Sequence, residues 1–149
     1  MKSEAQLGYT GAMVDGEGHI SLCYHKYRKG YSRHSLAVGI SNTDERLMIW
    51  LKSIWGTNYH PQWKKGSKWD KGTRMCYIWG VTDKKAELFL KEIYPYLLLK
   101  KAQAELALAF RKTIGKRGWT GRGKPLPQNI WEKRQQLALL VAKLNKGEK

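Results

Sequence analysis

Hydrophobic and polar positions along the chain follow two periods, and the switches between them mark out the elements. Ser3 with Gln6 reads as a capping box, hydroxyl and amide satisfying the free N–H groups of a first turn. A short helix follows through Val14, with Gly8, Gly11 and Ala12 near one face, a small-residue spacing suited to close approach of another helix. It runs into Asp15-Gly16-Glu17-Gly18, whose glycines permit the turn that ends it. Residues 20–24 alternate as a strand. Residues 33–41 alternate more plainly, with Leu36, Val38 and Ile40 inward, and Lys29-Gly30 punctuates the two as a hairpin. A helix starts at Asn42-Thr43-Asp44-Glu45, and Leu47, Ile49, Trp50, Leu51 and Ile54 supply its apolar face up to Gly56. A second hairpin covers 57–65 and 73–82, where Met75, Tyr77, Trp79 and Val81 alternate with Arg74, Cys76, Ile78 and Gly80. Thr82-Asp83 caps a helix to about Ile93, Pro95 breaks the chain, and a further helix is expected from about Tyr96 to Thr113.

That order, α-β-β-α-β-β-α-α, predicts an α+β sandwich: four strands with helices on one face, the uncovered face polar and basic. Residues 1–114 form the core domain. Residues 115–127, rich in Gly, Pro and basic side chains, read as a linker. Residues 128–149 carry a last helix, with Ile130, Leu137, Val141 and Leu144 on the side that packs on the same domain. At 149 residues and 42% hydrophobic, the chain has material for one real core. Lys and Arg number 28 against 12 Asp and Glu, a net +16, and the usual compensation for such self-repulsion is a polyanion. Nucleic acid leads. No apolar run approaches the roughly 20 residues a spanning helix needs, so a membrane is not an expected partner. Residues 1–6 carry no apolar signal segment, and two distant cysteines, Cys23 and Cys76, make no disulfide framework, so an intracellular location is expected.

The acids Asp15 and Glu17 stand at a helix C-terminus, where the macrodipole disfavours negative charge. Either they form an acidic turn facing water or a cation joins them. An EF-hand register fails, because Met13 and Tyr24 would fall at the first and last ligand places. Zinc spacing is absent, and neither cysteine has a recognisable base beside it.

Residues 10–18, Thr-Gly-Ala-Met-Val-Asp-Gly-Glu-Gly, resemble the signature of the LAGLIDADG homing endonucleases, with Asp15, Glu17 and Gly18 at its acid, acid and glycine places. Thr10 replaces the leading Leu, and Gly11-Ala12 inverts the usual order. The proline-led segment 95–103 resembles that family's helix start, which puts Lys100 at its active-site basic residue. Segment 38–46 resembles the strand end and helix start that place Asn42, here instead of the more usual Gln, and Arg46 near the scissile phosphates. The resemblance covers roughly residues 5–113. It implies an αββαββα domain with a saddle-shaped antiparallel sheet, acting as a homodimer on double-stranded DNA. It further implies metal-dependent cleavage of a long pseudo-palindromic target, leaving 3′ overhangs, as in intron homing.

Carboxylate and carbonyl oxygens suit hard Mg²⁺, with Mn²⁺ expected to substitute, so Glu17 and the Gly16 carbonyl are the expected ligands. Lys100 would stabilise developing phosphate charge, Asn42 and Arg46 would position water and phosphate, and Asp15 would brace the helix junction. Gly8, Gly11, Ala12 and Asp15 are expected between two copies of the helix. Strand parity puts Ser21, Cys23, His25 and Tyr27 with Arg33, Ser35, Ala37, Gly39 and Ser41 on one face, extended by Asn58, His60, Gln62, Lys64, Arg74, Cys76 and Ile78. Such a ribbon can sit in the major groove, with Lys68 from the second hairpin holding phosphate. The rival reading is an inactive intron maturase or a regulatory DNA- or RNA-binding protein of the same fold. Retention of Glu17 together with Lys100 argues against it.

Overall fold

The computed structural model describes residues 1–26, 32–65, 73–114 and 126–147. Tyr27, Lys68, the first hairpin turn and most of the linker lie outside the described residues, as do the side chains of Lys64 and Arg74.

The first helix, α1 (Glu4–Glu17), starts at the expected capping box: the Gln6 N–H donates to Ser3 Oγ at 3.2 Å, and the Ser3 N–H to Gln6 Oε1 at 2.8 Å. It runs three residues beyond Val14, so Glu17 stands in its last turn. Strands β1 (Gly18–Lys26) and β2 (Ser32–Asn42) pair antiparallel, Gly18 opposite Ile40 and His25 opposite Arg33. Helix α2 (Glu45–Trp55) is capped by Asp44 and ends at Gly56, whose φ of 68° is the left-handed geometry glycine tolerates. Its core-facing residues are Met48 and Leu51. Ile49, expected inward, points to water. Strands β3 (Tyr59–Lys65) and β4 (Thr73–Thr82) complete one sheet in the order β1-β2-β4-β3.

Helix α3 (Asp83–Ile93) follows β4 directly, and no side chain caps its start; Asp83 instead turns the chain with a φ of 50°. A short 3₁₀ turn at Tyr94–Tyr96 contains Pro95, and α4 spans Lys101–Lys112. The helix expected from Tyr96 therefore begins five residues later. Its would-be first turn is held instead by the carboxylate of Asp15, described below.

All helices pack on one face of the sheet. Ile20, Leu22, Leu36, Val38, Ile40, Trp79 and Val81 from the strands meet Val14, Leu51, Phe89, Leu90, Ile93 and Phe110 from the helices. The last helix, α5 (Gln128–Asn145), adds Val141 to that core. It is fastened at both ends. Arg134 donates to the hydroxyl and carbonyl of Thr113, each at 2.9 Å, and Asn145 donates to the Ile20 carbonyl at 2.9 Å. The architecture is the predicted α+β one, with a four-stranded antiparallel sheet. Among the described residues no helix is long and apolar enough to cross a membrane.

Two of the small residues on α1 are used within the chain. A Cβ on Gly11 would lie 2.9 Å from Tyr96 Cβ and 3.0 Å from its carbonyl oxygen, and one on Gly8 would touch the same ring. The stripe that α1 leaves exposed is Ala5, Tyr9, Ala12 and Gly16. Of the small residues expected at a dimer contact, only Ala12 remains on it.

Under α5 lies one costly group. His34 is 4% exposed, its Nε2 has no hydrogen-bond partner, and its ring meets Tyr24, Phe110 and Trp131. Burial, then the Arg134 charge, hold its imidazole below the ordinary value, with Gln135 opposing. A histidine that protonates less readily folded than unfolded contributes stability fully present above about pH 6.5, and loses it as pH falls below that value. Urea denaturation from pH 8 to pH 5 should show stability falling on the acid side, and His34→Leu should flatten that part of the profile.

Candidate active site

The site is built where the end of α1 meets the start of α4. Asp15 accepts three backbone N–H bonds, from Leu98 at 2.6 Å, Leu99 at 3.1 Å and Lys100 at 2.9 Å. These N–H groups, at and just before the start of α4, lack intrahelical partners, and a carboxylate there is favoured by the helix dipole. Lys100 answers in the other direction. Its ammonium donates to the carbonyls of Val14 (2.8 Å) and Asp15 (2.6 Å) in the last turn of α1, where the Val14 carbonyl also accepts from the Gly18 N–H. Burial pushes the Lys100 amine below its ordinary range, and Asp15 opposes that shift. The apparent misfit of acids at a helix C-terminus is thus resolved by one lysine.

Glu17 lies just past this clasp, exposed, with its carboxylate accepting from the Asn42 side-chain amide. Asn42 is itself oriented by the Asp44 N–H, which donates to Asn42 Oδ1 at 2.8 Å. Asp44 is gripped by Arg46 through the backbone N–H (2.9 Å) and the guanidinium (2.5–3.1 Å), and that bond holds the Asp44 carboxyl down to about 2. Arg46, its side chain 88% exposed, stays outward over a cleft of 810 Å³ between α1 and α2, whose wall includes Tyr9, Met13, Glu17, Asn42 and Trp50. Thr10, the departure at the leading motif place, is fully buried; its hydroxyl donates to Gln6 O at 2.7 Å and accepts from Trp55 Nε1 at 3.3 Å. A polar residue fits there because it has a partner on each side.

Glu17, Asn42, Arg46 and Lys100 are therefore brought to one end of α1, with the Gly16 backbone among them. Asp15 does the bracing expected of it, within its own chain rather than across a dimer contact.

The predicted reading face also forms, with qualifications by residue. His25, Asn58, His60 and Gln62 are exposed, and Ser21, Cys23, Ser35, Ala37, Ser41 and Ile78 are half-buried on that side. His25 Nε2 and Ser35 Oγ share a hydrogen bond at 3.0 Å. Two residues are closed off: Cys76 is 6% exposed, and the place of a Cβ on Gly39 is filled by the ring of His19. Arg33 is exposed but ion-paired with Asp83, whose second oxygen lies 3.7 Å from Arg111. His19 was not among the expected residues. Loss of water around the ring, then the Lys100 charge, hold its imidazole below the ordinary value, so it shares the field of the site. Its one sequence signal is a glycine opposite it in the middle of a strand.

Solved structures carry the same architecture. The chain aligns with I-CvuI in complex with the I-CreI target at a TM-score of 0.70 and 18% identity, over 95% of this chain and 82% of that one. The fold is that of the LAGLIDADG homing endonucleases. The archaeal intron-encoded I-Vdi141I, complexed with DNA, gives a TM-score of 0.70 at 17% identity, covering 96% and 86% of the two chains. I-TnaI gives 0.61 at 15% identity over the whole of both chains. No protein-family model and no curated protein matches the sequence. The likeness to these endonucleases is thus one of backbone.

Removing the Asp15 carboxylate should loosen the clasp. Asp15→Ala is expected to cost about 1–2 kcal/mol, the range for a lost helix cap, and Asp15→Asn less, since its amide oxygen still accepts. Equilibrium urea unfolding of both variants checks the order.

Proposed function

We propose that this protein is a divalent-metal-dependent endonuclease that cuts both strands of a long, pseudo-palindromic DNA target as a homodimer. The observation that carries the reading is the exposed Glu17 carboxylate, held by Asn42 beside Lys100 and at the edge of a polar strand face. The net charge of +16 and the DNA complexes of fold-mates such as I-CvuI and I-Vdi141I support duplex DNA as the partner.

The residues fit a hard cation. One carboxylate from Glu17 and the Gly16 carbonyl are oxygen donors of the kind Mg²⁺ takes when it keeps several waters and completes its shell with phosphate oxygens. Mn²⁺ accepts the same donors. Held by Glu17 and the Gly16 carbonyl, such a cation would supply charge neutralisation at the phosphate and activation of the attacking water. In the hydrolysis a water oxygen bonds to phosphorus, the bond to the leaving sugar oxygen breaks, and that oxygen takes up a proton. Lys100, anchored by two carbonyls, offers a fixed positive charge beside the growing negative charge. Asn42 orients the Glu17 carboxylate, and Arg46 can leave Asp44 for a phosphate, since solvent screens an exposed pair of this kind and holds it only weakly.

Cutting two strands calls for two such centres, and one chain carries one motif. The exposed stripe Ala5, Tyr9, Ala12 and Gly16 is the face on which α1 would meet its own copy, with the exposed Leu98 and Leu99 beside it. Two Glu17 carboxylates would then lie near a two-fold axis, and the target should mirror that symmetry.

Glu17→Gln should abolish cleavage with Mg²⁺ while leaving affinity for the same duplex within about threefold, because it removes the charge at nearly constant volume. Full activity in this variant would remove the proposed metal site. In sedimentation velocity the wild type should run as a dimer, free or on DNA, and Ala12→Arg should return it to a monomer that no longer makes double-strand cuts. A wild type that stays monomeric in both conditions overturns the homodimer.

A further inference from the structure

His19 follows Gly18 at the start of β1, two residues past Glu17, and stands opposite Gly39 in the register with β2. Its ring lies across the neighbouring strand. A Cβ on Gly39 would come within 2.5 Å of His19 Cε1 and 3.0 Å of Nε2, so only glycine leaves the ring that position. Glycine inside a strand weakens it and marks places where a ligand or another backbone comes close. Gly39 in turn stands opposite Gly80 of β4, where a Cβ would meet only backbone, Val38 O at 3.1 Å and Gly39 Cα at 3.7 Å. The imidazole thus fills the room over Gly39, two residues from Glu17, and the next position across the sheet, Gly80, adds no side chain either.

We propose that His19 is a further catalytic residue of this site: its ring N–H donates to a non-bridging oxygen of the phosphate being cut, and Gly39 is the positioning residue that lets the ring lie there. The inference rests on the nuclease reading above. The donor transfers no proton and acts by meeting negative charge that grows on the phosphate as water adds. A donor already held in place is worth more in the transition state than in the bound ground state, which is what raises a rate rather than an affinity. Glu17 carries the wrong charge for this task, and the Lys100 ammonium, with two of its N–H groups spent on carbonyls, supplies charge more than direction. His19 supplies an unshared, directional donor on the groove side.

The test uses the full chain and a duplex selected from a randomised library by wild-type binding in Ca²⁺. Single-turnover cleavage is then measured in Mg²⁺ at saturating protein, and affinity in Ca²⁺. His19→Ala should cut about 10–100-fold more slowly with affinity changed less than about threefold, and His19→Gln, which keeps an N–H donor, should fall between. Gly39→Ala should slow the wild type by a similar factor yet change nothing when added to His19→Ala, a coupling that a purely structural role would not produce. The Gly39 Cβ would also press on the Trp79 carbonyl at 3.2 Å, so if that variant fails to fold, the His19 pair decides alone. Wild-type rates in His19→Ala overturn this inference while the nuclease reading stands. A loss of affinity as large as the loss of rate overturns it too, making His19 a binding residue. A wild type that selects or cuts no duplex overturns the nuclease reading, and this inference with it.

Discussion

The reciprocal capping of two helix ends organises this molecule. Asp15, from the last turns of α1, takes the N–H groups that open α4, and Lys100, from the first residue before α4, takes the carbonyls that close α1. Each group neutralises the partial charge of the opposite dipole, and each is held by the other's backbone. Neither charge is free to wander. The angle between α1 and α4, the exit of the chain into β1 and the orientation of Glu17 all follow from a contact between residues 85 apart in sequence.

The same contact separates the duties of two neighbouring acids. Asp15 and Glu17 differ by two positions, which on a helix turns them roughly 200° apart. One carboxylate is consumed by three N–H donors; the other reaches the surface with a single side-chain partner. The acid left at the surface is the one the fold does not need. Arg46 shows a parallel division, since its backbone N–H is spent on the cap of α2 while its guanidinium stays at the surface.

Much of this was legible in sequence because it is local. The capping box, the strand alternation at Leu36, Val38 and Ile40, and the Gly56 stop depend on neighbours within a few residues, and all are found as expected. The motif spacing likewise brought Glu17, Asn42, Arg46 and Lys100 together. What escaped was long-range. The delay of α4 to Lys101 comes from a side chain in α1. Gly8 and Gly11 looked like a surface stripe because nothing near them in sequence announces Tyr96. His19 was missed because the room it occupies is made by Gly39, twenty positions on and across a strand. Parity assigned faces correctly but could not tell an open position from one, such as Cys76, that its neighbours cover.

The sheet has two edges, and each is blunted by a different device. On β1 the carbonyl of Ile20 is claimed by Asn145, so the end of α5 takes an acceptor from the edge strand. The outermost strand β3 carries Pro61 as the third of its seven residues, with no N–H to offer a newcomer, and ends on two lysines. Growth by strand addition is therefore discouraged at both ends. An uncovered sheet edge is otherwise a template for edge-to-edge aggregation. Loss of α5 would undo half of that protection, and an aggregation-prone protein is the form in which a truncated chain should first betray itself.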